Sequence, residues 1–332
     1  MFAMGLNPYG LTYHLGLQGQ GTPRANPKTR GLDGFLAIAE ELGVVTIEIF
    51  EPWIAALDDR GLTALRNRLV RNGMQAVISS GLPSASMPSI LRSAAALDAK
   101  LVRFALTRVL CGDRATLGDG WPKLVEEVRG KLKAAASVAS EHGLTLVIEN
   151  HQDFGSDELV GFCEEAGPNV GICFDTGNAF PVAEAPLDFT RRVAAHVRHV
   201  HLKDYRVQCS DEGFRLVRCA IGDGAVPFRA MAEILLAARP SLTAVLEPGA
   251  LEARHVRLLR PEWWRFYAPK TAASLAACLG AARINLLPEG ADTRTPWETG
   301  EDGQALVAYE LDMIRRSAAN MRKLGVMSGQ AK

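Results

Sequence analysis

The sequence predicts a (β/α)8 barrel of the α/β class, or TIM barrel, in which eight parallel strands form a cylinder surrounded by helices. Short apolar runs alternate with amphipathic segments along most of the 332-residue chain. Most of these runs are continuous rather than alternating in hydrophobicity, which is typical of strands covered on both faces. Seven strand–helix units followed by an eighth strand favour a closed barrel over an open, doubly wound sheet.

The individual elements follow from these patterns in chain order. The predicted strands are Gly10–His14, Val44–Phe50, Gln75–Ser79, Leu101–Ala105, Thr145–Glu149, Val170–Asp175, Val197–Leu202 and Thr243–Glu247. The predicted helices are Gly34–Leu42, Gly61–Asn72, Met87–Leu97, Pro122–Glu141, Asp157–Glu165, Leu187–Ala195 and Phe228–Ala237. Pro122 stands in a first helical turn, where proline is favoured, and Gly43, Gly73 and Gly143 stand just past helix ends.

The last part of the chain departs from the repeat. The eighth helix is predicted only at Gln304–Leu324, inside a closing segment 302–325. Residues 251–300 precede it and are rich in Pro, Trp and Arg. A connection of this length far exceeds the usual loop of about two to six residues. We therefore expect residues 1–332 to form a single barrel domain in which 251–300 is a lid or an interface.

Composition narrows the class of protein and its partners. The formal charge is zero, from 37 basic and 37 acidic residues, which gives no electrostatic case for nucleic acid or a membrane surface. The N-terminus shows no secretory signal, and no apolar stretch approaches the roughly 20 residues that cross a bilayer. The six cysteines include no CxxC pair and are expected to be reduced thiols. These features predict a cytoplasmic location.

Ionisable residues end four consecutive predicted strands, namely Glu149, Asp175, His201 and Glu247. Asp175 follows Glu149 by 26 residues, and His201 follows Asp175 by 26, so the three occupy equivalent positions on neighbouring strands. Three carboxylates and an imidazole facing into an apolar barrel would be very unfavourable without a partner. We therefore predict one divalent cation, Mn²⁺, Mg²⁺, Co²⁺ or Zn²⁺, at the carboxyl ends of the strands. The alternative is four separate groups at a solvated rim.

The runs around these residues resemble those of a known family. ENH, FDTGN, HVHLKD and LEPG, in this order, are similar to motifs of the xylose isomerase-like barrel superfamily. That superfamily includes sugar isomerases and epimerases, inosose and dehydroshikimate dehydratases, and DNA-repair enzymes of the endonuclease IV type. The resemblance covers nearly the whole chain and implies that Glu149, Asp175, His201 and Glu247 are metal ligands. It also implies that Glu149 and Glu247 move the substrate proton, as in the epimerases.

The sequence departs from the epimerase pattern at several positions. Asn178 replaces a histidine of the tagatose and psicose epimerases, and Arg206 lies close to the position of their substrate-binding arginine. His151 and Lys203 each follow a predicted ligand by two residues, so each shares the face of that ligand and is suited to proton transfer. This pair resembles the dehydroshikimate dehydratases. Lys203 could instead be a rim cation paired with Asp204, and His151 could instead hydrogen-bond to the ligands.

Further residues are candidates for substrate binding. Arg103 on strand four is suited to a substrate oxyanion, although an ion pair with Glu48 explains it equally well. His14 on the predicted strand one is either a substrate ligand or a core histidine. Trp263, next to Trp264, would either cover a sugar face or lie in an oligomer interface.

Two enzyme classes follow from this set of residues. The first is a metal-dependent isomerase or epimerase of a small sugar, keto sugar or sugar acid, in which Glu149 and Glu247 transfer a proton through a metal-stabilised enediolate. The second is a metal-dependent lyase, a dehydratase or decarboxylase of a keto sugar acid or cyclitol, in which His151 or Lys203 is the acid. A DNA-repair nuclease is disfavoured by the zero net charge and the few histidines. The expected partner is a small carbohydrate, and a homo-oligomer stays open.

Overall fold

Eight parallel strands form a closed barrel in the computed structural model, which describes residues 1–328. The barrel strands are β1 (Phe2–Leu6), β2 (Thr46–Phe50), β3 (Gln75–Gly81), β4 (Leu101–Ala105), β5 (Thr145–Glu149), β6 (Val170–Asp175), β7 (Val197–Leu202) and β10 (Thr243–Leu246). Each strand pairs with the next, and β10 pairs with β1 to close the cylinder. The predicted (β/α)8 barrel is confirmed.

Helices cover the outside of the barrel. They are α1 (Gly31–Leu42), α2 (Glu51–Ala55), α3 (Asp59–Arg71), α4 (Met87–Leu97), α5 (Gly120–Glu141), α6 (Ser156–Ala166), α7 (Pro186–Val193), α8 (Phe228–Ala238), α9 (Ala272–Ala282), α10 (Pro296–Thr299) and α11 (Gly303–Lys323). The late eighth helix is present as α11, which begins where the Asp302 carboxylate accepts hydrogen bonds from the N–H groups of Gln304 and Ala305. No helix among residues 1–328 is both long and apolar enough to span a membrane.

The predicted first strand, Gly10–His14, is wrong. The first barrel strand is β1, which lies eight residues earlier and includes Gly5, where a Cβ would lie 2.7 Å from the Thr46 carbonyl oxygen. After β1, the Asn7 side chain accepts from the Tyr9 N–H and starts a short turn that continues the chain away from the sheet. The N–H of His14 then donates to the buried Glu310 carboxylate on α11 at 2.8 Å. His14 therefore lies in a connection rather than at a strand end.

The two longest connections of the barrel form a second sheet together. After β7, the strands β8 (Tyr205–Ser210) and β9 (Gly213–Arg218) make an antiparallel hairpin. Segment 251–300 contributes β11 (Arg254–Val256), which pairs antiparallel with β9. A short final strand, β12 (Met327–Ser328), pairs with the start of β1. The long segment is thus folded against the hairpin at the carboxyl ends of the barrel strands.

Candidate metal centre and active-site cavity

Four ionisable side chains converge at the carboxyl ends of neighbouring barrel strands. Glu149 and Asp175 are the last residues of β5 and β6, His201 is the penultimate residue of β7, and Glu247 directly follows β10. All four are buried, and one potential ligand atom of each lies within 4.8 Å of those of the others. The structure therefore brings together the set that the spacing of the sequence predicts. That these residues hold a metal stays a prediction.

The contacts among these side chains fit a cation. The Nδ1 atom of His201 lies 2.6 Å from Oε2 of Glu247 and 3.7 Å from Oε1 of Glu149. All three atoms are buried, and none has a hydrogen-bond partner within the described chain. Buried polar atoms without partners are costly, so their convergence on one point is the arrangement expected of ligands that share an ion.

The charges around this point would suit a divalent cation. The buried ionisable groups in mutual contact are four carboxylates and two cations, namely Glu48, Glu149, Asp175, Glu247, Arg103 and Lys203. With the imidazoles neutral, which is the form in which histidine binds metals, the group has a formal charge of −2. A divalent cation would neutralise it.

Glu48 orients the histidine of this cluster. It is the only charged residue of the strand TIEIF, is fully buried, and places Oε2 2.6 Å from Nε2 of His201. The same oxygen lies 3.3 Å from Nε2 of His199, whose Nδ1 is 3.2 Å from the Thr243 hydroxyl. A carboxylate behind a histidine fixes the tautomer and the direction of the ring. Glu48 therefore leaves Nδ1 of His201 to face the other carboxylates.

Asp175 is held by amide groups on its own connection. Its Oδ1 accepts from the Gly177 N–H at 3.0 Å, and its Oδ2 accepts from Nδ2 of Asn178 at 2.8 Å. Burial, together with the charge of the neighbouring Glu247, raises the pKa of Asp175 to about 7 against the opposing charge of Lys203. Asn178 is fully buried and does not line the cavity, so its position supports an orienting contact with Asp175 rather than the predicted contact with substrate.

A cavity of about 440 Å³ opens beside the cluster. Its lining includes Arg103, His151, Lys203 and Glu247, together with Tyr9. This volume lies in the range of about 300–1,000 Å³ typical of small-molecule sites. The cavity therefore joins the predicted proton-transfer residues to one wall of the candidate metal centre.

Lys203 points into the cluster rather than toward the neighbour considered as an alternative. Its Nζ donates to Oδ2 of Asp175 and lies 2.9 Å from Oε1 of Glu247. The alternative partner, Asp204, instead accepts the backbone N–H groups of four residues on the hairpin and the turn that follows it, at 2.8–3.1 Å. The pairing of Lys203 with Asp204 is therefore wrong.

His151 and Arg103 complete the charged part of the cavity wall. His151 is half-buried, and its buried Nδ1 has no hydrogen-bond partner within residues 1–328. Burial lowers the pKa of His151 to about 4, so the ring is neutral at physiological pH. Arg103 contacts Glu149 and lies 3.6 Å from Glu48, so it forms the expected ion pair and also lines the cavity. Burial opposes ionisation of Glu149, but Arg103 holds the pKa of that carboxyl well below its usual range.

Three further residues predicted to bind substrate do not line this cavity. His14 lies in the connection after β1, and Arg206 is exposed on β8 and lines a different cavity. Trp263 is buried within the chain, where its Nε1 donates to the Cys111 carbonyl at 3.0 Å. Their positions do not support direct contact with substrate, and a buried Trp263 is also unavailable to another subunit.

Other cavity residues were missed by the reasoning from sequence. Tyr9 was overlooked because the first strand was placed too late, so the turn after the true β1, which holds Tyr9, was not recognised as a strand-end connection. Gln152 directly follows His151 and could have been found as part of the same strand-end run. Arg254 comes from β11, and nothing in the local pattern indicates that this strand reaches the cavity.

Residues 36–264 match the model of the xylose isomerase-like TIM barrel family. The chain belongs to this family. The match spans well over half of the sequence and includes all four strand-end residues of the cluster. The resemblance drawn from the sequence motifs is thereby confirmed.

Curated relatives within this family include lyases. The chain is 24% identical over 247 residues to 3-oxo-isoapionate decarboxylase from Pectobacterium atrosepticum, which covers 72% of this chain and 86% of that protein. It is 28% identical over 135 residues to inosose dehydratase from Geobacillus thermodenitrificans, which covers 36% of this chain and 44% of that protein. A 92-residue match, 34% identical, spans 27% of this chain and only 28% of the uncharacterized Escherichia coli protein YihM.

Solved structures share the fold over almost the full chain. D-psicose 3-epimerase with D-tagatose from Clostridium cellulolyticum H10 superimposes with a TM-score of 0.60 at 13% identity, covering 99% of this chain and 100% of that one. A xylose isomerase-like TIM barrel protein from Mycobacterium smegmatis in complex with magnesium has a TM-score of 0.56 at 17% identity, covering 96% and 98%. At these identities the likeness shows the fold alone.

Proposed function

We propose that the protein is a divalent-metal-dependent lyase that removes water or carbon dioxide from a small keto sugar acid or cyclitol. The observation that carries this proposal is the composition of the cavity wall. Lys203 and His151, which can hold or move protons, line the cavity beside Glu247. Glu149 is not part of this lining and is engaged by Arg103. The named relatives, a decarboxylase and a dehydratase, support the same class.

In this proposal Glu149, Asp175, His201 and Glu247 hold the cation, and the buried atoms of this set that lack hydrogen-bond partners support that assignment. When bound, a divalent cation would polarise a substrate carbonyl and stabilise the negative charge that develops on its oxygen.

The residues of the cavity wall then divide the remaining work. Lys203 is an ammonium with three N–H donors, and it can donate to a substrate oxygen that gains negative charge. His151 is neutral and lines the cavity, so its ring can take the proton from the carbon next to the carbonyl. In a dehydration the same proton can return to the hydroxyl that leaves as water. In a decarboxylation the bond to the carboxylate breaks, carbon dioxide leaves, and the carbon, which keeps the electron pair, takes a proton from the Lys203 ammonium, which water then reprotonates.

The isomerase or epimerase is the second candidate, and one contact favours it. Oxygens of Glu149 and Glu247 approach the same His201 Nδ1, at 3.7 Å and 2.6 Å, so two carboxylates flank one centre. A two-base proton transfer needs such a pair. In that mechanism Glu149→Gln and Glu247→Gln would each abolish exchange of the carbon-bound proton, whereas His151→Gln would leave the exchange largely intact.

The deciding experiment uses the metal-loaded protein with a panel of keto sugar acids, ketoses and cyclitol ketones in D₂O. A lyase gives a product lighter by water or carbon dioxide, and His151→Gln should lower kcat by about 10²–10⁴-fold. The matched control is His142→Gln, since His142 lies at the exposed end of α5. A product that has lost neither water nor carbon dioxide and is heavier only by incorporated deuterium would overturn the lyase in favour of the epimerase.

A further inference from the structure

The four arginines of residues 254–265 fall into two groups. Arg257 and Arg260 contact Glu212 on the hairpin, with N–O distances of 3.1 and 2.9 Å, and Arg265 contacts Asp119 at 2.6 Å. These ion pairs attach the segment to neighbouring parts of the chain. Arg254 differs from them, because it lines the active-site cavity and has no carboxylate within ion-pair distance among residues 1–328.

The position of Arg254 is fixed by its backbone. It lies on β11 opposite Leu216 of β9, so the second sheet, formed by β8, β9 and β11, fixes its position at the cavity wall. Its side chain is half-buried. Burial raises the pKa of Tyr205 to about 12 against the opposing charges of Lys203 and Arg254, so both cations lie near this one ring. Arg254 therefore reaches the same space as the lysine beside the candidate metal centre.

A second free arginine lies on the same wall. Arg108 follows β4, is exposed, lines the cavity, and forms no ion pair with any residue of the described chain. Segment 251–300 fixes the loop that carries Arg108. Trp263 Nε1 donates to the Cys111 carbonyl at 3.0 Å, and the Tyr267 hydroxyl donates to the Gly112 carbonyl at 2.8 Å. Segment 251–300 thus positions Arg108 through its loop, and it also contains Arg254.

The other charges of the lining are already balanced or belong to the centre. Arg103 and Lys203 contact the buried carboxylates, and Glu247 is one of the four converging residues. Glu252 is the remaining acid of the lining, against the two free arginines. Within residues 1–328, the lining outside the centre therefore carries one positive charge more than its acidic residue can balance. Guanidinium groups bind carboxylates and phosphates with paired, directional hydrogen bonds.

We infer that Arg254 and Arg108 bind an anionic group of the substrate, a carboxylate, while the carbonyl end of the substrate faces the four-residue centre. This inference rests on the proposed function and narrows its substrate class to acids. A phosphate ester would use the same hydrogen-bonding chemistry, so the test includes one.

The test measures binding to the metal-loaded protein by calorimetry, and it needs no turnover. The probes are D-gluconate, its neutral counterpart D-sorbitol, and D-sorbitol 6-phosphate. Gluconate should bind at least tenfold more tightly than sorbitol. Arg254→Gln should weaken gluconate binding by about tenfold to a hundredfold, the effect of losing a charge-assisted hydrogen bond, and should leave sorbitol binding unchanged. Arg254→Lys should retain part of the preference for gluconate.

The matched control is Arg260→Gln, which lies in the same segment but pairs with Glu212 outside the cavity. It should leave the affinity for gluconate unchanged. Equal affinity for gluconate and sorbitol, or an equal loss for both in Arg254→Gln, would overturn the inference. Tighter, Arg254-dependent binding of the phosphate ester would overturn the choice of a carboxylate. If gluconate binds as expected while no acid is converted, the inference stands and the proposed lyase fails.

Discussion

Replacement of Glu48 by Gln should weaken metal binding although Glu48 is not one of the four converging residues. The change keeps the size of the side chain and removes one negative charge. Glu48 lies 2.6 Å from Nε2 of His201 and is fully buried, so it fixes which nitrogen of the ring faces Glu149 and Glu247. A glutamine accepts more weakly and can also turn its NH₂ group toward the ring, which no longer enforces one tautomer.

The magnitude follows from two effects that act in the same direction. Loss of a carboxylate behind a metal-bound histidine typically costs about 10–100-fold in affinity, and tenfold corresponds to about 1.4 kcal/mol. The same substitution changes the formal charge of the buried cluster from −2 to −1, which reduces its attraction for a divalent cation. Arg103 keeps Glu149 as a partner, so the fold should tolerate the change. We expect a decrease near the upper end of that range.

The assay is calorimetric titration of metal-free protein with Mn²⁺, with ¹⁵N NMR of the histidine rings as an independent measure of the tautomer. Glu41→Gln is the control, because Glu41 pairs with Arg315 on the surface. Glu48→Gln should weaken binding and allow both tautomers of His201, whereas the control should match wild type. An unchanged Kd for Mn²⁺ in Glu48→Gln would refute the orienting role.

Three more predictions follow from the described contacts. Asp175→Ala and His201→Ala should each remove bound metal, and elemental analysis that finds full metal content in both would contradict the proposed site. Burial raises the pKa of Asp153 from 3.8 to about 6, so the folded state holds this proton more tightly than the unfolded chain. The stabilisation is full below about pH 4 and is lost as pH rises through 6, by about 3 kcal/mol. Urea titrations across this range should show the loss, and Asp153→Asn should remove it; an identical pH profile in the mutant would contradict the assignment. Trp263→Ala should lower the free energy of unfolding by about 3–5 kcal/mol. Trp264 is half-buried, so Trp264→Ala should lower it by clearly less. Equal losses in the two mutants would contradict the conclusion that burial of Trp263 stabilises segment 251–300.

The barrel could be predicted because buried parallel strands leave a strong local pattern. Strands β4, β5, β6 and β7 have the predicted bounds: β5 and β6 are nearly continuous apolar runs that end at a carboxylate, and β4 and β7 also contain basic residues between their apolar ones. The strand β1 was misplaced although its sequence, FAMGL, is more apolar than GLTYH at Gly10–His14, because Thr and Tyr are also common in strands. The two segments differ in their contacts: a turn capped by Asn7 ends β1, and the His14 N–H donates a hydrogen bond to Glu310, nearly three hundred residues away. Local hydrophobicity cannot report such a contact.

The converging residues could be predicted for a related reason, and the cavity wall could not. The barrel fixes where a strand ends, so Glu149, Asp175 and His201 occupy equivalent positions once the strands are known. Residues beyond a strand end depend on the path of the connection. Three residues after Asp175, the chain turns and places Asn178 behind the carboxylate. On the hairpin, Arg206 is exposed to solvent. The same hairpin pairs with β11 and so places Arg254 at the cavity.

The centre and the outer wall of the cavity are therefore built on different parts of the fold. Three of the four converging side chains lie on barrel strands and Glu247 directly follows β10, so pairing between neighbouring strands fixes their positions. Arg254 lies on the second sheet, which is made from the two longest connections. Asp204, next to Lys203, accepts hydrogen bonds from four backbone N–H groups and so fixes the chain where it returns from the hairpin. Substitutions in this second sheet can alter which substrate binds without moving the four converging residues. On this reasoning, a relative that keeps the four converging residues but lacks β11 would bind the same metal and would not share the preference for an acid.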